Sequence, residues 1–211
     1  MFLIGAVITG NVLGDMKNRI GQVVTFKWKG IQAMRSYVIP TYSRTTPQGS
    51  QRDLFKAVLG FGQGILGSII QTYLYPYAVG MSSFNAWMKK NLLSWTGTTS
   101  FDKAIISWGS LTPVILGGAS YSGSTALISW DKSLVGNQLL TDKVQCVVYD
   151  SDRNLFFLSD ITHTRTDEEI QVTVGLGLSV TNLHAFLFFF RDINTVDYKI
   201  SNSGYSTISA G

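Results

Sequence analysis

Apolar residues recur along this chain in two rhythms, and the change from one to the other divides it. From Gln22 to Val38 the rhythm is near two. Val23-Val24-Thr25-Phe26-Lys27-Trp28 is rich in β-branched and aromatic types, Lys29-Gly30 is a turn signal, and Ile31 to Val38 returns as a partner strand. Pro40 closes this hairpin, and the polar stretch Thr41 to Ser50, with Pro47 and Gly49, reads as an extended linker or arm. The rhythm then becomes helical. Thr46 supplies an N-cap with Pro47 at the first helical position, and Leu54, Phe55, Val58, Leu59, Ile65, Leu66, Ile69, Ile70 and Tyr73 form one apolar stripe. Tyr75-Pro76 stops it. A second helix starts near Ser82 or Ser83, with Phe84, Trp87, Met88 and Leu92 on one face and Lys89 and Lys90 on the other, so a helical hairpin is expected.

From about Asp102 short strands alternate with turns. The candidates are Ala104–Trp108, Ala126–Trp130, Val144–Tyr149, Leu155–Leu158, Ile170–Val174, Leu183–Phe190 and Val196–Ile200, with an eighth around Tyr205. That spacing is the signature of an immunoglobulin- or fibronectin-type sandwich, with Trp130 and Tyr149 placed as core aromatics. The expected fold class is therefore α+β: an N-terminal β-hairpin and helical hairpin over residues 1–101, then an all-β sandwich over 102–211. Met1 to Ile8 resembles a signal peptide only in being apolar. No basic region precedes its short run and Asn11 to Asp15 offers no cleavage site, so it reads as mature sequence that packs or pairs as a strand.

Composition adds a second division. The net charge of +4 conceals ten basic against two acidic residues up to residue 101 (+8), and seven basic against eleven acidic residues after it (−4). Such asymmetry points to two modules with different neighbours. The basic module carries Lys17, Arg19, Lys27, Trp28, Lys29, Arg35, Arg44 and Arg52, a set able to dock on an acidic subunit or to contact nucleic acid through charge and stacking. The competing reading is a strand pair with one packed and one solvated face. The single cysteine, Cys146, excludes an intramolecular disulfide and suits assembly in a reducing compartment.

The search for chemistry returns little. Gly62-Gln63-Gly64-Ile65-Leu66-Gly67 matches the letters of the dinucleotide fingerprint. A helical stripe precedes it rather than a strand, and no acid follows Asp53 until Asp102, so the glycines read as helix-packing positions. Ala57 to Met88 contains no charged side chain, and Gly60 and Gly64 have the spacing of paired membrane helices. Gln63, Gln71, Thr72 and Pro76 interrupt the run and favour a buried or subunit-facing helix over a membrane span. Asp150 to Asn154 begins like a calcium loop, but Leu155 and Ile161 stand where glycine and glutamate are required. Asp167-Glu168-Glu169 reads as a charged turn. His163 lies in a polar loop, His184 shares a strand face with Phe186, and neither adjoins a serine or cysteine nucleophile. No catalytic residue, metal site or cofactor site is expected, and the chain reads as a non-enzyme.

Spaced motifs carry a resemblance. Gly21-Gln22-Val23-Val24, Trp28-Lys29-Gly30-Ile31, Arg35-Ser36, Pro40, Gln48, Gln51-Arg52 and Phe55, then Gly80-Met81, Phe84-Asn85, Trp108-Gly109-Ser110-Leu111 and Ser201 to Tyr205 resemble, in order, an uncharacterised family of proteins from bacteria and their phages. The apolar Met1-Phe2-Leu3-Ile4 start and the glycine-rich first helix depart from its pattern. The overall plan is also similar to that of phage structural proteins, and that likeness implies a non-enzymatic virion component assembled in the host cytoplasm. Its partners would be copies of itself and other virion proteins, with nucleic acid at the basic module. Two further readings are a glycan- or receptor-binding sandwich, supported if loop aromatics such as Tyr121 are exposed, and a basic nucleic-acid-binding protein.

Overall fold

A computed structural model describes residues 6–7, 18–39, 45–113, 115–191 and 198–211. The chain forms two compact units, Met1–Thr45 and Thr46–Gly211. In the first, β1 (Ala6–Val7), β2 (Asn18–Ile20), β3 (Val23–Trp28) and β4 (Ile31–Ser36) make an antiparallel sheet in the order β1-β4-β3-β2. Trp28 pairs with Ile31, leaving Lys29 and Gly30 as a two-residue loop with φ of 48° and 83°. Positive φ at both central residues is what a type I′ turn needs to match strand twist, and glycine takes the second position without a Cβ clash. Of the expected N-terminal strand, Ala6–Val7 pairs with β4 and the remainder lies outside the described residues.

The second unit opens with α1 (Thr46–Gly64), so the arm expected over Thr41–Ser50 is already helical from Thr46. The single long stripe predicted through Tyr73 is bent. After Gly64 the chain turns by 67° into a π-helical segment, Leu66–Ile70, and α2 (Gln71–Tyr73). Among the described residues no single helix is long and apolar enough to cross a membrane. A short 3-10 turn at Tyr75–Tyr77 leads to α3 (Ser83–Ser94), whose N-cap Ser82 accepts the Asn85 N–H at 3.2 Å.

Two sheets follow. One is β5 (Leu116–Ser122), β6 (Thr125–Trp130), β9 (Glu169–Thr173) and β13 (Ser209–Ala210), in the order β13-β5-β6-β9. The other is β7 (Lys143–Asp150), β8 (Leu155–Leu158), β10 (Leu183–Arg191) and β11 (Lys199–Ile200), in the order β11-β10-β7-β8, with β12 (Gly204–Thr207) also pairing β10. The chain crosses between sheets after β6, β8, β9 and β12. Residues of β6 and β9 (Ala126, Ile128, Trp130, Ile170, Val172) meet one face of β7 and β10 (Val144, Cys146, Val148, Leu183, Ala185, Leu187, Phe189) in a shared core.

The opposite face of β7 and β10 is also buried. Val147, Tyr149, Phe186, Phe188 and Phe190 pack against Val58, Phe61, Ile65, Ile69, Ile70 and Tyr73 of the bent helix and against Trp87 and Met88 of α3. This layer corrects the expected division at residue 101/102. The helical hairpin shares a core with the sheets, because the helix stripe and the second face of β10 each need an apolar partner. Tyr149 is thus a core aromatic on the helix side and Trp130 one between the sheets.

Three strand assignments also change. The stretch Ala104–Trp108 is extended but joins no ladder. Its N–H groups instead bond to side chains, Ile105 to Asn91 Oδ1 at 2.8 Å and Ile106 to Ser203 Oγ at 3.1 Å. β5 and β13 leave little trace in the residue pattern, since Gly117-Gly118 weakens the β pattern of one and the other is two residues long.

The glycine-rich helix end proves to be a packing device. A Cβ at Gly62 would run into the Trp87 ring and one at Gly64 into Phe156, whereas Gly60 faces open space. Gly62→Ala is expected to cost about 1–3 kcal/mol by overpacking. Gly60→Ala should instead stabilise by about 0.5–1 kcal/mol, through helix propensity. Urea denaturation midpoints of the two variants check this, and equal midpoints would contradict it.

Candidate docking surfaces

The basic hairpin can be resolved by strand register. Arg19, Val24 and Arg35 are cross-strand neighbours, and Phe26 follows Val24 on their face; Lys27 pairs with Gln32 on the opposite face, and Lys29 sits in the turn. Arg19 stacks over the Tyr37 ring at 3.8 Å and its Nε donates to the Gly21 carbonyl at 2.8 Å. Arg35 lies 5.9 Å from the Phe26 ring. The cations therefore divide over both faces instead of lining one stripe. Trp28 ends β3 opposite Ile31. Arg52 belongs to α1 in the second unit, on an exposed stretch with Gln48, Gln51 and Phe55, while Lys17 and Arg44 lie outside the described residues.

A second surface, not foreseen from the sequence, lies within the second unit. Tyr77, Val79, Met81, Ala86, Lys89, Lys90, Leu93 and Trp108 line a cavity of about 300 Å3 between α3 and its flanking loops. Val79 and Leu93 are 84% and 83% exposed, beyond what isolated surface side chains need, and Lys90 lies 5.0 Å from the Trp108 ring. The signal for this groove was present in pieces. Lys89 and Lys90 were visible on the outer helix face, but only folding brings Met81 and Trp108 beside them.

The groove is held by one buried side chain. Asn91 is fully buried and its side-chain amide makes four hydrogen bonds. Its Nδ2 donates to the carbonyls of Trp87 (3.2 Å) and Ile105 (3.0 Å), and its Oδ1 accepts from the Ile105 N–H (2.8 Å) and Trp95 Nε1 (3.3 Å). Trp87 Nε1 adds a bond to the same Ile105 carbonyl at 2.8 Å. Asn91 therefore pins the chain leading to Trp108 against α3. Buried amides of this kind tie geometry because every unsatisfied partner is costly.

The remaining candidates from the sequence take structural places. The Gly62–Gly67 run spans the end of α1 and the start of the π-helical segment, with a helix rather than a strand before it. Asp150 Oδ1 accepts the N–H groups of Asp152 (3.0 Å) and Arg153 (3.4 Å), closing the β7–β8 turn. Cys146 is fully buried between the sheets, and desolvation pushes its thiol pKa up. His184 lies on the helix-facing side of β10 with Nδ1 3.0 Å from the Tyr205 hydroxyl; burial lowers its pKa, with Asp102 and Asp150 opposing. Tyr121 is half-buried and donates to the Gly175 carbonyl at 2.8 Å, so its hydroxyl fastens a loop.

An acidic, apolar surface lies elsewhere on the same unit. Asp160, Ile161 and Asp167 are exposed around His163, whose ring nitrogens are 3.9 Å from Asp160 and 3.5 Å from Asp167. Side-chain and backbone bonds from Thr162 hold the Asp160 carboxyl below its ordinary pKa.

The sequence profile of a family of unknown function (DUF6266) matches residues 14–207, and the chain belongs to that family. No curated protein and no solved structure matches it.

Replacing Asn91 with alanine is expected to cost about 2–4 kcal/mol, by leaving buried carbonyls and N–H groups unpaired. That corresponds to a fall in Tm of roughly 5–15 °C for a chain of this size. The mutation should also raise hydrogen exchange at Ile105 beyond that of β10, and a uniform change across both would argue against the pinning role.

Proposed function

We propose that this member of the family is a non-enzymatic structural subunit that works by making protein–protein contacts, as a component of a phage particle. The observation that carries the reading is the groove of α3. Val79 and Leu93 stand exposed there beside Lys89 and Lys90, on a layer packed against the core beneath it. The resemblance to phage structural proteins supplies the kind of assembly. The fold class supports it too. β6 pairs with β9 in one sheet and β7 with β10 in the other, an order that favours an immunoglobulin- or fibronectin-type sandwich.

The occupant we assign to the groove is a second copy of the chain, docking through Asp160, Ile161 and Asp167. Charge complementarity supports it: lysines flank apolar side chains on one surface, and carboxylates flank an apolar side chain on the other. Because the two surfaces differ, the contact is head-to-tail and builds a ring or a filament according to whether the rotation closes. Nucleic-acid binding is less well supported, since the hairpin cations divide over two faces. The glycan-binding alternative loses its motivating feature with the engaged Tyr121 hydroxyl.

Light scattering and native mass spectrometry of the full chain test the contact. Oligomers are expected that weaken as salt rises, with Lys89→Glu/Lys90→Glu weakening association on the order of tenfold or more. Mixing that variant with Asp160→Lys/Asp167→Lys should restore mixed assembly. A chain that stays monomeric at concentrations on the order of 100 µM would overturn the groove assignment. Absence of the protein from purified particles, by mass spectrometry, would overturn the virion assignment.

A further inference from the structure

His163 sits between two carboxylates that neighbouring threonines hold in place. Its Nε2 is 3.9 Å from Asp160 Oδ1 and its Nδ1 is 3.5 Å from Asp167 Oδ2. Both distances exceed a good hydrogen bond but fall within ion-pair reach, so the charge on the imidazole decides whether the contacts attract. Asp160 Oδ1 accepts Thr162 Oγ1 at 2.7 Å and the Thr162 N–H at 3.2 Å, and Asp167 Oδ2 accepts the Thr164 N–H at 2.8 Å in a capping box. The other two oxygens, Asp160 Oδ2 and Asp167 Oδ1, accept no hydrogen bond among the described residues. The side chains are 39% exposed at His163, 65% at Asp160 and 44% at Asp167, so a partner can reach all three.

The remaining charges on the elements packed around this loop are directed elsewhere. β8, before it, carries none. On the β7 side the Val144 N–H donates to the His163 carbonyl at 3.1 Å and Lys143 forms a bridge with Thr164, so Lys143 is the cation beside the loop; it makes no ion pair among the described residues. Asp142 is turned to Arg191, and in the 3-10 turn Arg165–Asp167 the Arg165 guanidinium is buried over the Phe189 ring. Glu168 pairs with Lys132 at 2.9 Å, and Glu169 opens β9 opposite Ser129. Histidine changes charge between about pH 8 and 5, a window in which lysine stays charged and carboxylates ordinarily stay ionised. Bonds from Thr162 hold the Asp160 carboxyl below even the usual carboxylate range. The other histidine, His184, is half-buried on β10.

We propose that His163 is a pH-sensitive switch on the acidic docking surface. As a neutral imidazole it leaves Asp160 and Asp167 to the lysines of the neighbouring copy. As an imidazolium it pairs with both carboxylates of its own chain and cancels part of their charge, so the copies separate more readily in mild acid. The inference rests on the head-to-tail contact proposed above, and it adds the condition under which that contact loosens.

Sedimentation equilibrium of the full chain at about pH 7.5 and about pH 5.5, either side of the histidine range and at one ionic strength, tests it. Self-association of the wild type should weaken about five- to tenfold in acid, the worth of two exposed ion pairs. His163→Gln should associate at both pH values as tightly as the wild type does at the higher one. His163→Lys, a permanent cation, should associate at both as weakly as the wild type does in acid. Wild-type association that ignores pH, or His163→Gln keeping the full loss in acid, would overturn the proposal. The pairing itself is read apart from assembly, in Lys89→Glu/Lys90→Glu, from the side-chain carboxyl carbon resonances of Asp160 and Asp167. They should move as His163 takes up its proton and stay still once His163→Gln is added; resonances that stay still in both sink the switch even where the copies assemble. If they move and no oligomer forms at the higher pH, the docking reading has failed and the switch falls with it.

Discussion

The structure depends on one sheet having no face left for water. β10 reads Leu-His-Ala-Phe-Leu-Phe-Phe-Phe-Arg, and its alternation sends Leu183, Ala185, Leu187 and Phe189 to the partner sheet and His184, Phe186, Phe188 and Phe190 to the helices. β7 divides in the same way, with Val144, Cys146 and Val148 on one side and Val147 and Tyr149 on the other. A strand of this composition cannot lie at a solvated surface. Two covering layers are required, and the chain supplies the second sheet on one side and the bent helix with α3 on the other.

The demands of the helical layer explain features that otherwise look unrelated. Close approach of α1 to α3 and β8 requires bare backbone at Gly62 and Gly64, because the Trp87 and Phe156 rings occupy that space. Covering a sheet with one helical run requires it to turn, and it does so by 67° just after Gly64. The segment from Ala104 to Trp108 crosses this layer without a strand partner, so Asn91 and Ser203 take its N–H groups. The outer face of α3 stays exposed at Lys89, Lys90 and Leu93. That leftover surface, with Leu93, Lys89, Lys90 and the neighbouring Trp108, is the groove assigned to assembly.

Several residues that carry the family resemblance hold local geometry in one unit or the other. Lys29-Gly30 makes the tight turn, Phe84 stacks on Trp87, and Gly109 lies where a Cβ would strike the Ile200 carbonyl. Arg165 stands apart, as a buried charge whose side-chain nitrogens have no hydrogen-bond partner among the described residues and whose nearest carboxylate, on Asp142, is shared with Arg191.

Local physics made much of this legible in the residues alone. The type I′ signal at Lys29-Gly30, the apolar stripes of α1 and α3, the Ser82 cap of α3 and the short apolar runs of β6 to β10 depend on neighbours a few positions apart, so their period and turn chemistry appear in one dimension. The paired faces of β10 did not appear there, since a fully apolar run is equally consistent with either layer order. Nor did the unit boundary at Thr45/Thr46, the bend after Gly64, the groove or the stranded Arg165. Each of these arises from side chains far apart in sequence competing for the same space, and only the packed tertiary structure decides which of them is covered, which is left bare, and which charges share one carboxylate.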